Sequence, residues 1–415
     1  MASPGLIPFL VAMMLLTGVC NTLLTKYQDN QCVRNCGPDD DASKRAFFNQ
    51  PVLQTAQMFI GEMGCWLVIG LMALWKRYGS SETPSQQGYE AVNTTEEPDA
   101  PSIREDDDRA KLLHPSQESL LRGHRVLLLA LPAICDTLAT TLMNVGLLMV
   151  AASIYQMTRG ALVLFVGLFS VLFLGRRLWL FQWISLLGVV LGVAIVGLAG
   201  AISPDEKPEL AGNAIYSRMM TTDGLSDAGR AIVGVLLIAG GQVFTATQFV
   251  LEEWFLENSS IEPIRVVGWE GIFGFVVTVL GMTVMHFAVG TTDAGRYGAF
   301  DMAEGWRQMS GNPKILISSL LIMVSIGGFN FFGLSVTRSV SATSRSTIDT
   351  CRTLFIWIVS LGLGWETFKW LQIIGFGFLV YFTFVFNGIV QPPLKSLRPT
   401  GEVEELLPEE PIEHN

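Results

Sequence analysis

Residues 152–190, ASIYQMTRGALVLFVGLFSVLFLGRRLWLFQWISLLGVV, and residues 342–380, ATSRSTIDTCRTLFIWIVSLGLGWETFKWLQIIGFGFLV, line up at a chain offset of 190. In that register Ala152 meets Ala342, Ser153 meets Thr343, Leu164 and Phe165 meet Leu354 and Phe355, Ser170 meets Ser360, and Gln182, Ile184 and Val190 meet Gln372, Ile374 and Val380. Each stretch holds a charge inside an otherwise hydrophobic run, Arg159 in the first and Asp349 in the second, at matching positions. The offset spans about five apolar runs, an odd number. Two such copies in a membrane would therefore point in opposite directions, the pattern of an inverted-topology repeat.

Composition agrees with a membrane setting. The 415 residues are 50% hydrophobic and only 15% charged, with a mean hydropathy of +0.42, too apolar for a soluble domain of this size. A crossing needs about 20 mostly apolar helical residues. Ten runs qualify, near 5–25, 51–75, 125–150, 152–175, 179–201, 231–253, 264–290, 313–336, 342–364 and 368–390. They lack the alternation of a membrane barrel, and the first has no basic n-region, so it reads as a retained span. The expected fold is an all-α polytopic membrane protein of about ten transmembrane helices in two inverted five-helix repeats. The first repeat covers 1–201, with an acidic loop at 76–122; a connecting loop fills 202–230, the second repeat covers 231–390, and an acidic tail covers 391–415.

The net charge of −10 excludes nucleic acid as a natural partner. Much of the acid sits in residues 80–118 and 400–415, which read as solvated and disordered. Each holds an acidic dileucine pattern, ending in Leu112-Leu113 and Leu406-Leu407. Clathrin adaptor proteins read such signals in the cytosol and send their cargo to endosomal, lysosomal or vacuolar membranes. Lys and Arg are spread almost evenly over the two sides, so positive-inside counting does not orient the chain. Asn93-Thr-Thr95 and Asn258-Ser-Ser260 match the glycosylation triplet, which works only on the luminal side. Cys32 and Cys36 are close enough for a local disulfide where the 27–50 loop faces an oxidising lumen, and the same spacing also accommodates two free thiols. Cys20, Cys65, Cys135 and Cys351 lie in spans and read as small apolar packing groups.

An ionised side chain near the bilayer centre costs about 2.5–3.5 kcal/mol on insertion scales, so those retained there usually line a pathway. Glu62, Asp136, Arg159, Glu270, Asp349 and Arg352 lie well inside their spans and are the candidate substrate or ion pathway. Asp349 and Arg352 share a helix face at i, i+3. Glu252, Glu253 and Arg265 lie near span ends, where packing or reaching toward headgroups is the simpler reading, and Arg345 reads as the mouth of the ninth span. Asn144, Gln156, Asn330 and Ser346 are candidate cavity-lining groups, with interhelical hydrogen bonding as the alternative for each. Gly188-x-x-x-Gly192 permits close helix approach. No span contains His-Glu-x-x-His or Gly-x-Ser-x-Gly, and His286 is the only histidine inside a span. No catalytic residue, metal site or cofactor is therefore expected.

The runs Ile60-Gly-Glu62, Cys135-Asp136, Gln156-Met-Thr-Arg-Gly160, Gly167-Leu-Phe-Ser170, Leu174-Gly-Arg-Arg177, Leu251-Glu-Glu253, Glu270-Gly-Ile-Phe-Gly-Phe275, Asp349-Thr-Cys-Arg352 and Leu363-Gly-Trp-Glu366 resemble those of the drug/metabolite transporter superfamily. The resemblance is nearest to subfamily F of the solute carrier 35 family, with chloroquine resistance transporters more distantly similar. It covers nearly all the spans and fails in the acidic loop and tail. It implies two EamA-like repeats, cytosolic termini, and alternating access around a central cavity approached by the fourth and ninth spans, which places Arg159, Asp349 and Arg352 there. Members most similar to this chain are linked to lysosomal membranes, with a mitochondrial association also described; Golgi and plasma membranes stay open.

The expected function is a transporter of a small polar or amphiphilic solute across a vacuolar or endolysosomal bilayer, with protons as a candidate coupling ion through Glu62, Asp136, Glu270 or Asp349. The competing reading is a non-transporting membrane scaffold that recruits partners through its acidic segments.

Overall fold

A computed structural model describes residues 6–37, 45–79, 123–147, 150, 155, 158–202, 227–259, 261–292, 295–298, 300–364 and 368–392. Both acidic segments lie outside these residues, as do both dileucine pairs, Gln156, Ser153 and Asn93.

Eleven α-helices dominate the described residues: α1 (Leu6–Asp29), α2 (Pro51–Gly79), α3 (Ala130–Leu147), α4 (Leu162–Phe173), α5 (Leu180–Ile202), α6 (Asp227–Asn258), α7 (Pro263–Met285), α8 (Met302–Gly311), α9 (Pro313–Ser339), α10 (Ala342–Gly362) and α11 (Trp370–Phe386). A 3-10 turn, Gly123–Leu129, leads into α3, and a π turn, His286–Gly290, ends α7. Local chemistry sets several boundaries. Proline, with no amide hydrogen to leave unpaired, occupies the first position of α2, α7 and α9. Asn312 caps α9 by accepting from the Lys314 amide at 3.0 Å, and Ser341 caps α10 by accepting from the Ser344 amide at 3.1 Å.

Six helices are long and apolar enough to cross a bilayer, and three more are apolar but shorter, Leu162–Phe173, Leu180–Val196 and Trp370–Phe386. Their outward faces carry large apolar groups such as Leu67, Leu71, Leu187, Leu191, Leu236, Leu280 and Val324, all exposed. Water would not tolerate this surface, and lipid matches it. The protein is thus an all-α polytopic membrane protein. The remaining expected span, α10, is different. Thr343, Ser344, Arg345, Ser346, Thr347, Asp349, Thr350, Arg352 and Thr353 make it too polar for lipid, and α1, α4, α9 and α11 pack around it.

The most extensive helix contacts join α3 to α6, α5 to α11, α1 to α9 and α2 to α7. Glycine permits the tightest approaches. A Cβ on Gly61 of α2 would meet the Met323 carbonyl of α9 at 2.1 Å, and one on Gly192 of α5 would meet the Gly375 carbonyl of α11 at 2.8 Å. Gly188, the other half of the expected close-approach motif, lies under the Phe382 ring.

Two features were absent from the sequence reading. One is a small antiparallel hairpin, β1 (Cys32–Arg34) and β2 (Ala46–Phe47), whose first strand carries the Cys32–Cys36 disulfide, one of the two alternatives its spacing allowed. The other is α8, a short amphipathic helix beside it. Arg34 of the hairpin donates to buried Glu304 of α8 at 2.6 Å and stacks 4.0 Å over the Tyr297 ring. Phe48 anchors the hairpin in a cluster with Met309 and Ile315. The α6 terminus at Asn258 lies at the opposite end of the bundle, since α2 and α7 run antiparallel with Phe59 against Gly274 and Trp66 against Gly268. The disulfide and Asn258 therefore lie at opposite ends of the bundle.

Gly61→Leu is expected to lower stability by about 1–3 kcal/mol through overpacking of the α2–α9 crossing, read as a lower midpoint in fluorescence-detected thermal unfolding. A midpoint equal to that of the unaltered protein would contradict this packing. In non-reducing alkylation mass spectrometry, Cys32 and Cys36 should take label only after reduction.

Candidate functional site

The polar helix α10 sorts its charged groups by turn. Arg345, Asp349 and Arg352 follow one another at i, i+4 and i+7, so they share a face. They nevertheless meet different surroundings.

At the start of α10, Arg345 is almost fully buried. Its Nη1 donates to Oε2 of Glu252 on α6 at 2.5 Å, and its guanidinium carbon stands 4.2 Å from the centre of the Phe249 ring. Gly333 of α9 makes the room, because a Cβ there would come within 2.9 Å of Nε. Three more carboxylates lie within electrostatic reach of this pair: Glu62 of α2, Asp136 of α3 and Glu270 of α7. Asn330 of α9 donates to Oε1 of Glu62 at 2.6 Å. Oε1 of Glu270 and Nε of Arg345 are buried without a hydrogen-bond partner. Six helices thus contribute to one buried polar cluster, and its four acids outnumber its one base.

The same end of the bundle is tied by further contacts. Oε2 of Glu253 accepts from the Ala342 amide at 3.1 Å, where α10 begins and its dipole favours a negative charge. The other oxygen of Glu253 accepts from Arg176 of the α4–α5 loop at 3.1 Å, and Arg176 also contacts Glu257. Ser170 of α4 and Thr343 of α10 share a hydrogen bond of 3.0 Å.

One to two turns further along α10 lies a second charged group, in which Arg352 is buried. Asp349 and Thr350 are half-buried, and Arg159 is exposed. Arg352 donates from Nη2 to Oδ2 of Asp349 at 3.4 Å; Nε and Oδ1 stand 3.3 Å apart without hydrogen-bond geometry, which leaves both with capacity for another partner. Arg352 also lies 4.8 Å over the Phe329 ring and within electrostatic reach of Arg159.

The expected pathway residues therefore fall into two groups. Glu62, Asp136 and Glu270 gather around Arg345, and Arg159, Asp349 and Arg352 gather toward the other end. Asn330 joins the first group. Asn144 is half-buried on α3, and Ser346 is fully buried with its hydroxyl on the Thr343 carbonyl at 2.8 Å. His286 closes the α7 terminus, its Nδ1 accepting from the Met302 amide at 3.3 Å. Arg265 pairs with Glu262 at 3.2 Å on the surface, as a span-end residue should. Glu252 and Glu253 take the packing role rather than reaching toward headgroups, and Arg345, expected at a span mouth, is buried with them inside the bundle. The i, i+4, i+7 spacing of Arg345 with Asp349 and Arg352 is the sequence signal that could have placed it on the inner face. Helix α6 also runs five residues past the expected end at 253, because its Glu pair is received by α10 instead of by headgroups.

Removing one partner of a buried ion pair leaves the other uncompensated, at a typical cost of about 3–5 kcal/mol. Glu252→Gln and Arg345→Met should each lower the unfolding midpoint markedly. The double variant should be more stable than the sum of the two losses, which a double-mutant cycle of thermal midpoints measures. Strict additivity would mean the two side chains do not interact.

Comparison with known proteins yields consistent relatives. Residues 104–267 match the sequence profile of the nucleotide-sugar transporter family. Solute carrier family 35 member F6 of Homo sapiens is 36% identical over 402 residues, 96% of this chain and 94% of that protein. An uncharacterized protein of Schizosaccharomyces pombe is 36% identical over 381 residues, 92% of this chain and 97% of its own length. The UDP-N-acetylglucosamine transporter of Homo sapiens is 32% identical over 121 residues, 29% of this chain and 37% of that protein.

Proposed function

The chain belongs to the solute carrier 35 family and is a membrane solute transporter, not an enzyme; we propose that it works by alternating access, with a polar chamber along α10 that is closed at one end in this structure. The observation that carries this reading is the asymmetry along α10. Around residues 341–345 the ion pair, the Glu253 cap and the Ser170–Thr343 hydrogen bond seal the bundle. Around residues 349–352 Asp349 and Thr350 are half-buried, and exposed Arg159 lies within electrostatic reach of Arg352.

Helix pairing supports two inverted halves, 1–201 and 231–390. Exchange α1 with α6, α2 with α7, α3 with α9, α4 with α10, and α5 with α11. Each major contact then maps onto another: α1–α9 onto α6–α3, α2–α9 onto α7–α3, α4–α6 onto α10–α1, and α4–α5 onto α10–α11, while α2–α7, α5–α11 and α4–α10 map onto themselves. Two states related by exchange of the halves are what alternating access requires.

The proposed solute is small and polar or amphiphilic, and protons are the proposed coupling ion, because a buried excess of carboxylates is most simply neutralised by protonation. A vacuolar or endolysosomal membrane is the proposed site of action, with clathrin adaptors reading Leu112-Leu113 and Leu406-Leu407.

A thermal-shift screen of nucleotide sugars, amino acids, short peptides and basic amphiphiles selects a solute, and proteoliposomes then measure its uptake. Uptake should saturate, and Arg159→Ala and Asp349→Ala should each reduce it at least about tenfold with folding intact, a loss of about 1.4 kcal/mol or more. Full transport by both variants would remove them from the pathway. Oxidative cross-linking of a Ser170→Cys/Thr343→Cys pair should stop uptake, and reduction should restore it. Undiminished uptake in the cross-linked protein would refute an alternation that opens this end.

A further inference from the structure

Arg345 occupies an unusual position for a structural arginine. Its guanidinium pairs directly with Glu252 at 2.5 Å and lies within electrostatic reach of Glu62, Asp136 and Glu270, the four carboxylates coming from four different helices. The Phe249 ring, 4.2 Å away, supplies an aromatic wall of the kind that favours organic cations. Oε1 of Glu270, a side chain 7% exposed, remains buried without a partner, as does Nε of Arg345. The cluster therefore has acceptor capacity beyond what Arg345 uses.

We infer that these four carboxylates and Phe249 form a binding site for the positively charged head of a solute, an amine or a guanidine, and that Arg345 is its tethered occupant while that end of the bundle is closed. The inference rests on the transport reading and gives it a substrate class. A cation arriving along α10 displaces Arg345 from Glu252, which loosens the contact holding α10 to α6. When the solute leaves, Arg345 refills the site and the empty protein can complete its cycle without leaving the carboxylates bare. A nucleoside diphosphate sugar, carrying two negative charges, is repelled by this site.

The test uses the full chain in lipid nanodiscs with guanidinium chloride as probe at millimolar, non-denaturing concentrations, and sodium chloride at matched ionic strength as control. Arg345→Ala should show a saturable rise in unfolding midpoint with guanidinium. Its half-maximal concentration should be at least about tenfold below that of the unaltered protein. Glu252→Gln or Glu270→Gln in the Arg345→Ala background should weaken that response at least about tenfold. Equal responses with and without Arg345, or indifference to both carboxylate changes, would overturn the proposal. If Arg345→Ala does not survive extraction, the readout becomes its monodisperse recovery by fluorescence-detected chromatography. Recovery restored by guanidinium during extraction supports the site, and no recovery at any concentration overturns it. For the substrate class, agmatine should stabilise the unaltered protein and UDP-N-acetylglucosamine should not; the reverse order refutes it. These are binding measurements, so a protein that binds guanidinium but moves no solute would refute transport and leave the site standing. Transport without guanidinium binding would do the opposite.

Discussion

The buried pair of Arg345 and Glu252 is the constraint around which the bundle is arranged. Taking two ions out of water costs several kcal/mol each, and their attraction repays this only where geometry is close and the remaining polar atoms are met. One contact of 2.5 Å, one aromatic face and a glycine at position 333 supply part of that repayment. The partnerless Nε shows that the repayment is incomplete. A core built for stability alone would place hydrocarbon here. Polarity held at this cost, deep among helices whose outward faces are apolar, fits a site that is meant to exchange partners.

Helix α10 makes that exchange physically reasonable. Its hydroxyl groups turn back on their own chain: Ser346, Thr347, Thr350 and Thr353 each donate to the carbonyl three residues earlier, at 2.6–2.8 Å. Such groups satisfy themselves without demanding water. Thr347 also accepts from Asn387 at the end of α11 at 3.2 Å, and Ile348 and Cys351 pack into apolar clusters with neighbouring helices. The closest backbone contacts lie elsewhere, between α2 and α9 and between α5 and α11, where glycine lets backbones nearly touch. The bundle thus combines closely packed pairs with one polar central helix.

Much of this architecture was legible from the sequence. Apolar run lengths gave the spans, and the runs expected to begin at 51, 264 and 313 do so at or beside the prolines that open α2, α7 and α9. Ser170 and Thr343, one from each of the two stretches aligned at an offset of 190, share a hydrogen bond. The 32–47 hairpin and α8 were not legible, because both are short and are held by contacts distant in sequence, such as Arg34 with Glu304. Glu252 and Glu253 were legible only as a choice between packing and reaching toward headgroups, and Arg345 only as the mouth of a span. Charges near the end of an apolar run fit either role, and the packed partner helix reveals that Glu252 meets Arg345.

The two charged zones of α10 differ in a way that bears on how they can act together. Arg345 and Arg352 are seven residues apart, about 10.5 Å along a helix. The first is enclosed by acids from four helices, and the second has Asp349 on its own helix as its carboxylate. A solute approaching from the Arg159 end meets two arginines and one carboxylate first, and the excess of acid only afterwards. A cation passing that outer zone does so against weak repulsion that Asp349 offsets, and then reaches four carboxylates of which Arg345 pairs directly with one. Order matters here. An outer excess of acid would trap the cation at the mouth, whereas a deep excess draws it to the contact that holds the closed end shut, where binding and opening can share one set of charges.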